Sequence, residues 1–547
     1  MSTHDVTNQA PPLLGHSLLD TDAALRESAT RWADPAGSDE LAELGRLAGT
    51  AEAQTWADQA ERVTPVLRTH SRTGERIDEV EFHPAWHELM TVAVSHGLTA
   101  EPWTLPQGSG AHAQRAAGFM IWSQVEAGHL CPISMTYAAV PALRGTPALA
   151  DTWVPKLASR TYDFGLRPLA GKAGAIAGMG MTEKQGGSDV RANTTQAREV
   201  AGGPLEGRTF RLTGHKWFCS APMSDAFLVL AQTEAGLGCF LIPRVLEDGT
   251  RNAFALQRLK DKLGNRSNAS SEVEFDGTWG ALVGEEGRGV RTILDMVAAT
   301  RLDCVLGSAA TMRQALARAV HHTRHRSAFG ATLVDQPLMR NVLTDLALES
   351  EAATVLAMRL AHAVDEGDTD FSRLAVALAK YWVCKRTPPM VAEALECLGG
   401  NGYVEEYGLA RLYREAPLNS IWEGSGNVNA LDVLRAMSRE PASLAALSKE
   451  LATVRGADRR LDDAIGSAED LAYDALGDRG QLMARSVVER LATLLQASLL
   501  VRYSPTAVAD AFIASRVDGR RGLAFGTLEP GLVLSASGEV LERALPA

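Results

Sequence analysis

The sequence predicts an α+β protein that is mostly α. It has an N-terminal helical domain (1–176), a central antiparallel β domain (177–285), a helical bundle (286–440) and an extra C-terminal helical domain (441–547). Three observations predict this. From about residue 20 to 170 apolar residues recur at three- and four-residue spacing, as in Leu41, Leu44, Leu47 and Ala48. Near residue 177 the pattern changes to short apolar or alternating runs. Near Gly289 a long 3.6-residue period returns.

Each element follows from local residues. Breaks at Pro102-Trp103-Thr104-Leu105-Pro106 and Pro141 punctuate the first helical region. Phe210 to Thr213 alternates, Phe227 to Leu230 and Cys239 to Ile242 are apolar, and Ser271 to Phe275 alternates again. Gly, Asp and Asn separate these runs, which marks short antiparallel strands. The stretches Val290 to His325, Pro337 to Glu366 and Phe371 to Leu398 predict the long helices of a bundle. A second helical segment is expected from Leu444 to about Arg516. The Gly- and Leu-rich tail from Arg520 shows no clear period and is left unassigned.

The chain of 547 residues is long enough for three or four domains. Hydrophobic content of 46% with 22% charged residues fits a globular protein with a large core. A net charge of −12 argues against general affinity for nucleic acid. Met1 to Asn8 is polar, with no basic or apolar leader pattern, so a cytoplasmic protein is expected. Leu491 to Val501 is too short to span a bilayer and predicts a buried helix; no membrane partner is expected. The six cysteines form no C-x-x-C pair, so no metal site or disulfide framework is expected. His321 and His325 share a helix face, but no carboxylate or cysteine ligand accompanies them.

Chemistry concentrates in four segments. The first is Met181-Thr182-Glu183-Lys184-Gln185-Gly186-Gly187-Ser188-Asp189. The second is Gly214-His215-Lys216-Trp217-Phe218-Cys219-Ser220. The third is Arg326-Ser327-Ala328-Phe329-Gly330 with Gln336. The last runs from Gly399-Gly400-Asn401-Gly402 to Trp422-Glu423-Gly424-Ser425-Gly426-Asn427. Glycine lets backbone or ligand approach closely. Gly186, Gly187 and Ser188 can offer backbone donors to a phosphate, Thr182 can bond a ring edge, and Trp217 can wall a flat ring. A glycine pair after a strand also serves as a plain turn. Arginine suits phosphate because its planar fork binds bidentately, although Arg326 also reads as a basic helix end. Glu423, against a Gly-Ser-Gly turn, is placed to take a proton from a bound substrate, or to sit as a helix-start carboxylate.

Together these segments resemble the flavin-binding and base-bearing segments of the acyl-CoA dehydrogenase superfamily. The wording is closest to its AidB-like branch, associated with the response to DNA alkylation. The resemblance covers nearly the whole chain, including Phe82-His83-Pro84-Ala85-Trp86, Val125 to Ile133 and Lys260 to Ser270. It implies the acyl-CoA dehydrogenase fold and FAD as cofactor. It assigns Met181, Thr182, Gly187, Ser188, Trp217, Phe218, Ser220 and Asn427 to flavin binding. Arg326, Phe329, Gln336, Gly399, Gly400 and Gly402 would reach the cofactor of a neighbouring subunit in a homotetramer. Glu423 matches the base that removes the α-proton of an acyl thioester, and Arg301 a basic position that supports the site. Some branches place the base where this chain has Thr300, which has no carboxylate. An acyl-CoA ligand and an electron-transfer flavoprotein are the implied partners.

The resemblance also implies duplex DNA binding through the C-terminal region and protection of DNA from alkylating agents. From Arg479 to Arg521 seven arginines stand against three acids. Arg435, Arg516 and Arg520 are the candidate phosphate contacts. No aromatic ladder or base-reading motif accompanies them, so little sequence readout is expected. A solvated arginine face has the same composition.

Overall fold

The computed structural model describes residues 3–546, which form two compact units. One comprises residues 52–106 and 126–300, the other residues 3–51, 107–125 and 301–546. The N-terminal segment expected as one domain is therefore divided between the two.

The first unit is built on a seven-stranded sheet. A hairpin precedes it, β1 (Val66–His70) with β2 (Arg76–Glu81), inside the region expected to be helical. Its signal was weak: the apolar residues of 76–81, Ile77 and Val80, stand three apart, and only Gly74, which turns the chain at φ +89°, marks the hairpin. The sheet strands are β3 (Ala177–Gly180), β4 (Gln196–Glu199), β5 (Thr209–Ser220), β6 (Ala226–Thr233), β7 (Gly236–Pro243), β8 (Phe254–Leu259) and β9 (Ser270–Val283). The four runs expected as strands lie within β5, β6, β7 and β9.

The sheet is not wholly antiparallel. β3 and β4 both pair parallel to β6. Apolar patterning carries no strand direction, and the connections from β3 and β4 to β6 are long enough to return the chain in parallel. Successive pairings β6–β4–β5–β9–β7–β6 come back to the starting strand, so the sheet closes on itself. Phe210, Leu212, Phe227, Val229, Phe240, Ile242, Phe254, Val273 and Phe275 fill the interior. Gly178 is required there, since a Cβ would lie 2.3 Å from the Phe227 ring.

The second unit is helical. Pro337–Glu366, Thr369–Glu396, Gly426–Arg439 and Gly480–Tyr503 pack against one another, and Leu491 to Leu500 is buried as expected. Residues 301–325 of the long Gly289–His325 helix also belong here. The stretch 444–516 is divided into Pro441–Ala452, Arg459–Asp474, Gly480–Tyr503 and Thr506–Phe512. Asp458 starts the second of these by accepting hydrogen bonds from Arg460 N and Leu461 N. The unassigned tail contains one more helix, Pro530–Arg543, which buries Leu532, Val533, Ala536, Val540 and Leu541 at helical spacing. Gly531 and Gly538 had obscured that period.

All six cysteines are buried thiols. Among the described residues no helix is long and apolar enough to cross a membrane. The described residues contain no cluster of His, Cys, Asp and Glu suited to a metal ion.

Candidate active site

In the sheet-bearing unit, residues 181–188 lead out of β3 and are tied down at their start. Thr182 O accepts from Trp217 N at 2.8 Å, and Met181 O from Asn193 Nδ2 at 2.9 Å. Glu183 anchors the loop from beneath. Its side chain is fully buried and accepts from Lys216 Nζ (2.7 Å), Thr194 N (2.7 Å), Thr194 Oγ1 (3.0 Å), Thr195 N (3.1 Å) and Gln185 Nε2 (2.7 Å). Burial alone would raise its pKa, but these donors and the Lys216 ammonium hold it well below the usual carboxylate range.

Beyond that anchor, Lys184 to Asp189 is exposed. Gly187 must be glycine, because a Cβ would lie 2.5 Å from Thr182 Oγ1. The Gly187-Ser188 backbone is thus presented to solvent by a fixed base. Beside it in β5, Trp217 is half-buried and Phe218 exposed. Lys260 Nζ lies 3.1 Å from the Trp217 ring centroid, with Arg258 and Lys184 5.7 and 5.8 Å away. Ser220 Oγ is 3.0 Å from Ser270 Oγ at the end of the strand. Exposed glycine backbone, a flat aromatic ring and cations around it fit a planar, phosphate-bearing group such as FAD.

In the helical unit, Glu423 sits in a turn before the Gly426–Arg439 helix, with φ +57°, and Gly424 follows at φ +99°. A left-handed non-glycine residue costs roughly 1–2 kcal/mol and persists only where surroundings impose it. Three side chains from three helices do so. Arg301 Nε donates to Glu423 O at 3.0 Å. Lys380 Nζ donates to Trp422 O at 2.8 Å and also to Gly424 O. Asn429 Nδ2 donates to Gly424 O at 2.6 Å and to Ser425 O at 3.1 Å. Arg301 is itself held by Asp432 at 2.6 Å, and Asp432 also pairs with Arg373 at 3.0 Å. Burial raises the Asp432 pKa, but Arg301 and Arg373 outweigh it and keep the carboxyl below its ordinary value. Thr300 bonds its own helix, Oγ1 to Val297 O at 3.1 Å.

The remaining motif residues have definite places. Phe329 (φ +53°) and Gly330 (φ +81°) form the tip of a tight hairpin, and Phe329 is 100% exposed. Gln336 Nε2 ties that hairpin by donating to Ala328 O at 3.0 Å, and Arg326 Nη1 donates to Asn8 O at 2.9 Å. A Cβ at Gly399 or Gly400 would meet open space, whereas at Gly402 it would lie 2.1 Å from Leu395 O. Gly402 is therefore a packing requirement, and Gly399 and Gly400 carry the exposed backbone. Asn427 Oδ1 accepts from Arg485 Nε at 2.9 Å.

The candidate phosphate contacts divide. The Arg435 side chain is 58% exposed and that of Arg520 is 41% exposed, beside Glu529. Arg516 requires a correction. Its side chain is 3% exposed and pairs with Asp345 and with Glu349 at 3.0 Å, so it ties the C-terminal extension to the Pro337–Glu366 helix and cannot meet a phosphate in this conformation.

Sequence reasoning missed Lys380, Asn429, Glu183 and Lys216. For Lys380 a signal existed: it is a single cation within the apolar run Leu374 to Cys384, on a helix buried all round.

Comparison with known families places these segments. Residues 8–164 match the family described as the adaptive response protein AidB N-terminal domain. Residues 178–278 and 287–438 match the acyl-CoA dehydrogenase middle and C-terminal domains. The AidB protein of Escherichia coli (strain K12) is 46% identical over 544 residues, covering 98% of this chain and 99% of that one. The chain belongs to the AidB-like branch of the acyl-CoA dehydrogenase superfamily. Among solved structures, Caenorhabditis elegans ACDH-11 in complex with C11-CoA superposes with a TM-score of 0.84 at 26% identity, covering 99% of this chain and 97% of that one. A Bacillus anthracis acyl-CoA dehydrogenase complexed with FAD shares the fold, with a TM-score of 0.63 at 18% identity over 84% and 82% of the two chains.

Proposed function

We propose that this protein is an FAD flavoprotein in which Glu423 removes the α-proton of an acyl thioester. The observation that carries this reading is the imposed left-handed turn at Glu423, whose neighbouring carbonyls are held by Arg301, Lys380 and Asn429. Strain maintained by buried bonds is a mark of a functional residue. Met181, Thr182, Gly187, Ser188, Trp217, Phe218 and Ser220 would hold the flavin ring and the near phosphate, and in the helical unit Asn427 is the position that the resemblance assigns to flavin. Arg326, Phe329, Gln336, Gly399 and Gly400 would serve the pyrophosphate of a neighbouring subunit. When bound, the flavin supplies the acceptor for the β-hydride. Glu423 receives the α-proton, and Arg301 keeps its backbone in place. An electron-transfer flavoprotein is the acceptor this chemistry calls for. The exposure of Phe329 (100%), Leu338 (83%) and Tyr403 (83%) supports a homotetramer that covers them.

The test is anaerobic titration of the holoprotein with straight-chain acyl-CoA thioesters from butyryl to dodecanoyl. Bleaching of the oxidised flavin band by one of them is expected. An unchanged spectrum across the series would overturn the reading.

A second reading adds duplex DNA binding and protection from alkylating agents. It is favoured by the exposed arginines Arg435, Arg479 and Arg485 and the part-exposed Arg520, on and beside the C-terminal extension. Binding would rest on phosphate contacts and weaken with salt by a slope of about −0.9 per contact. Arg435→Ala should make that slope shallower by about one contact. No binding at low salt would remove this reading and leave the first intact.

A further inference from the structure

The turn that carries Glu423 is held by a feature no motif marks. Four consecutive backbone carbonyls, those of residues 422 to 425, accept hydrogen bonds from side chains, and Lys380 reaches two of them on either side of Glu423. The residue is 1% exposed. A buried ammonium carries a large desolvation cost, so a lysine in an apolar helix needs a compensating role. Here it meets backbone carbonyls; no carboxylate lies within ion-pair distance of it among the described residues. Its electrostatic reach includes the base loop: burial drives the Cys304 thiol well up, Lys380 opposes that, and Glu423 adds to it. One buried thiol thus senses both the ammonium and the Glu423 carboxylate.

We infer that Lys380 is the positioning residue of the base loop, fixing the turn that presents Glu423. The inference rests on the acyl-thioester reading above. The ammonium does two things at once. Its N–H groups lock the carbonyls before and after Glu423, which leaves that residue little freedom in φ and ψ. Its charge acts on the same Cys304 thiol that Glu423 acts on, and a cation in the neighbourhood of a carboxylate favours the ionised form that a base requires. The other charged groups around this turn are Arg301 and Asp303 on one helix, Lys385 on the Lys380 helix, Asp432 on the helix that follows, and Arg485 on the extension. Arg301 pairs with Asp432, which it shares with Arg373 and Arg435, and Asp303 pairs with Arg115. Lys380 is the buried cation of this group without a carboxylate partner.

The test uses the holoprotein, Lys380→Met and Lys380→Gln, with hydrogen exchange of amides 421–427 and α-proton exchange from butyryl-CoA in D2O as a function of pH. Lys380→Gln keeps a donor and removes the charge, which covers the case in which Lys380→Met does not fold. In both variants the flavin spectrum should be retained and the amides of 421–427 should exchange at least ~10-fold faster. A loose base loop should slow α-proton exchange by about 100-fold, the scale expected for an ångström of misplacement. The acidic limb of the pH profile should move to higher pH, because loss of a nearby cation disfavours the carboxylate. A helix weakened in general would not move that limb. Unchanged amide protection would overturn the inference. So would faster amide exchange with the α-exchange rate and pH limb unaltered. A wild-type protein that exchanges the α-proton of no thioester from butyryl- to dodecanoyl-CoA would overturn the acyl-thioester reading and the positioning role with it. Faster amide exchange in the variants would then show that the turn is held by Lys380 but carries no base.

Discussion

Glu183→Gln should destabilise the sheet-bearing unit well beyond an ordinary surface change, because the pair it breaks is wholly buried. The side chains of Glu183 and Lys216 are both 0% exposed, 2.7 Å apart. Removing one charge of a buried pair leaves the other unpaired in a low-dielectric interior, a loss of about 3–5 kcal/mol. Glutamine retains an acceptor for Thr194 N or Thr195 N, so the expected loss is near the lower end, about 3 kcal/mol. Removing both charges in Glu183→Gln/Lys216→Met should restore part of it, since the desolvation of the ammonium disappears as well. The double-mutant cycle should show a coupling of about 1–3 kcal/mol. Urea unfolding followed by circular dichroism measures the four proteins. The same loop carries Thr182, Gly187 and Ser188, so flavin affinity should fall in the single variant and recover partly in the double. A Glu183→Gln protein within about 0.5 kcal/mol of wild type, with unaltered flavin affinity, would refute the reasoning.

Other outcomes follow from the same arrangement. Burial raises the pKa of Glu349, but Arg386 and Arg516 outweigh it and hold the carboxyl at about 2, below its ordinary 4.5. A depressed pKa gives stability that is complete above about 4.5 and is lost as pH falls toward 2, roughly 3 kcal/mol in all. Urea midpoints between pH 6 and pH 3 should fall less in Glu349→Gln than in wild type. Arg516→Ala should cost several kcal/mol in unfolding experiments and leave the salt slope of any DNA binding unchanged, because its guanidinium is 3% exposed and paired. Phe329→Gly should relieve a left-handed residue worth about 1 kcal/mol while weakening self-association, as read by sedimentation at several concentrations.

Much of the architecture was legible in the sequence, and the exceptions have physical causes. The 3.6-residue period located the three long helices because each buries residues along most of its length, Leu343 to Leu360 for instance. The hairpin of β1 and β2 was missed because its half-exposed residues give only a weak contrast within a helical neighbourhood. The parallel pairing of β3 and β4 with β6 was not legible, since a four-residue run such as Ala177–Gly180 has the same composition in either direction. The Pro530–Arg543 helix was masked by two glycines.

At the site, glycine spacing identified the turns but not the side chains that hold them. Glu423 stands out in the sequence because a carboxylate between an apolar run and glycines is unusual, and the structure places it in a left-handed turn. Lys380 lies 43 residues earlier on another helix, and only the fold brings it to the carbonyls of 422 and 424. Arg516 shows the converse. Composition counted it in a basic stretch, and the fold directs it inward to Asp345 and Glu349.

The central claim is that Glu423 acts as a base toward an acyl thioester. Its most direct test compares wild type with Glu423→Gln in anaerobic stopped-flow reduction by the acyl-CoA that bleaches the wild-type flavin most fully. The account predicts that the variant keeps its bound flavin and its affinity for the thioester while reduction slows by about 100- to 10,000-fold, the range for loss of a general base. Reduction of the Glu423→Gln flavin at the wild-type rate would contradict it.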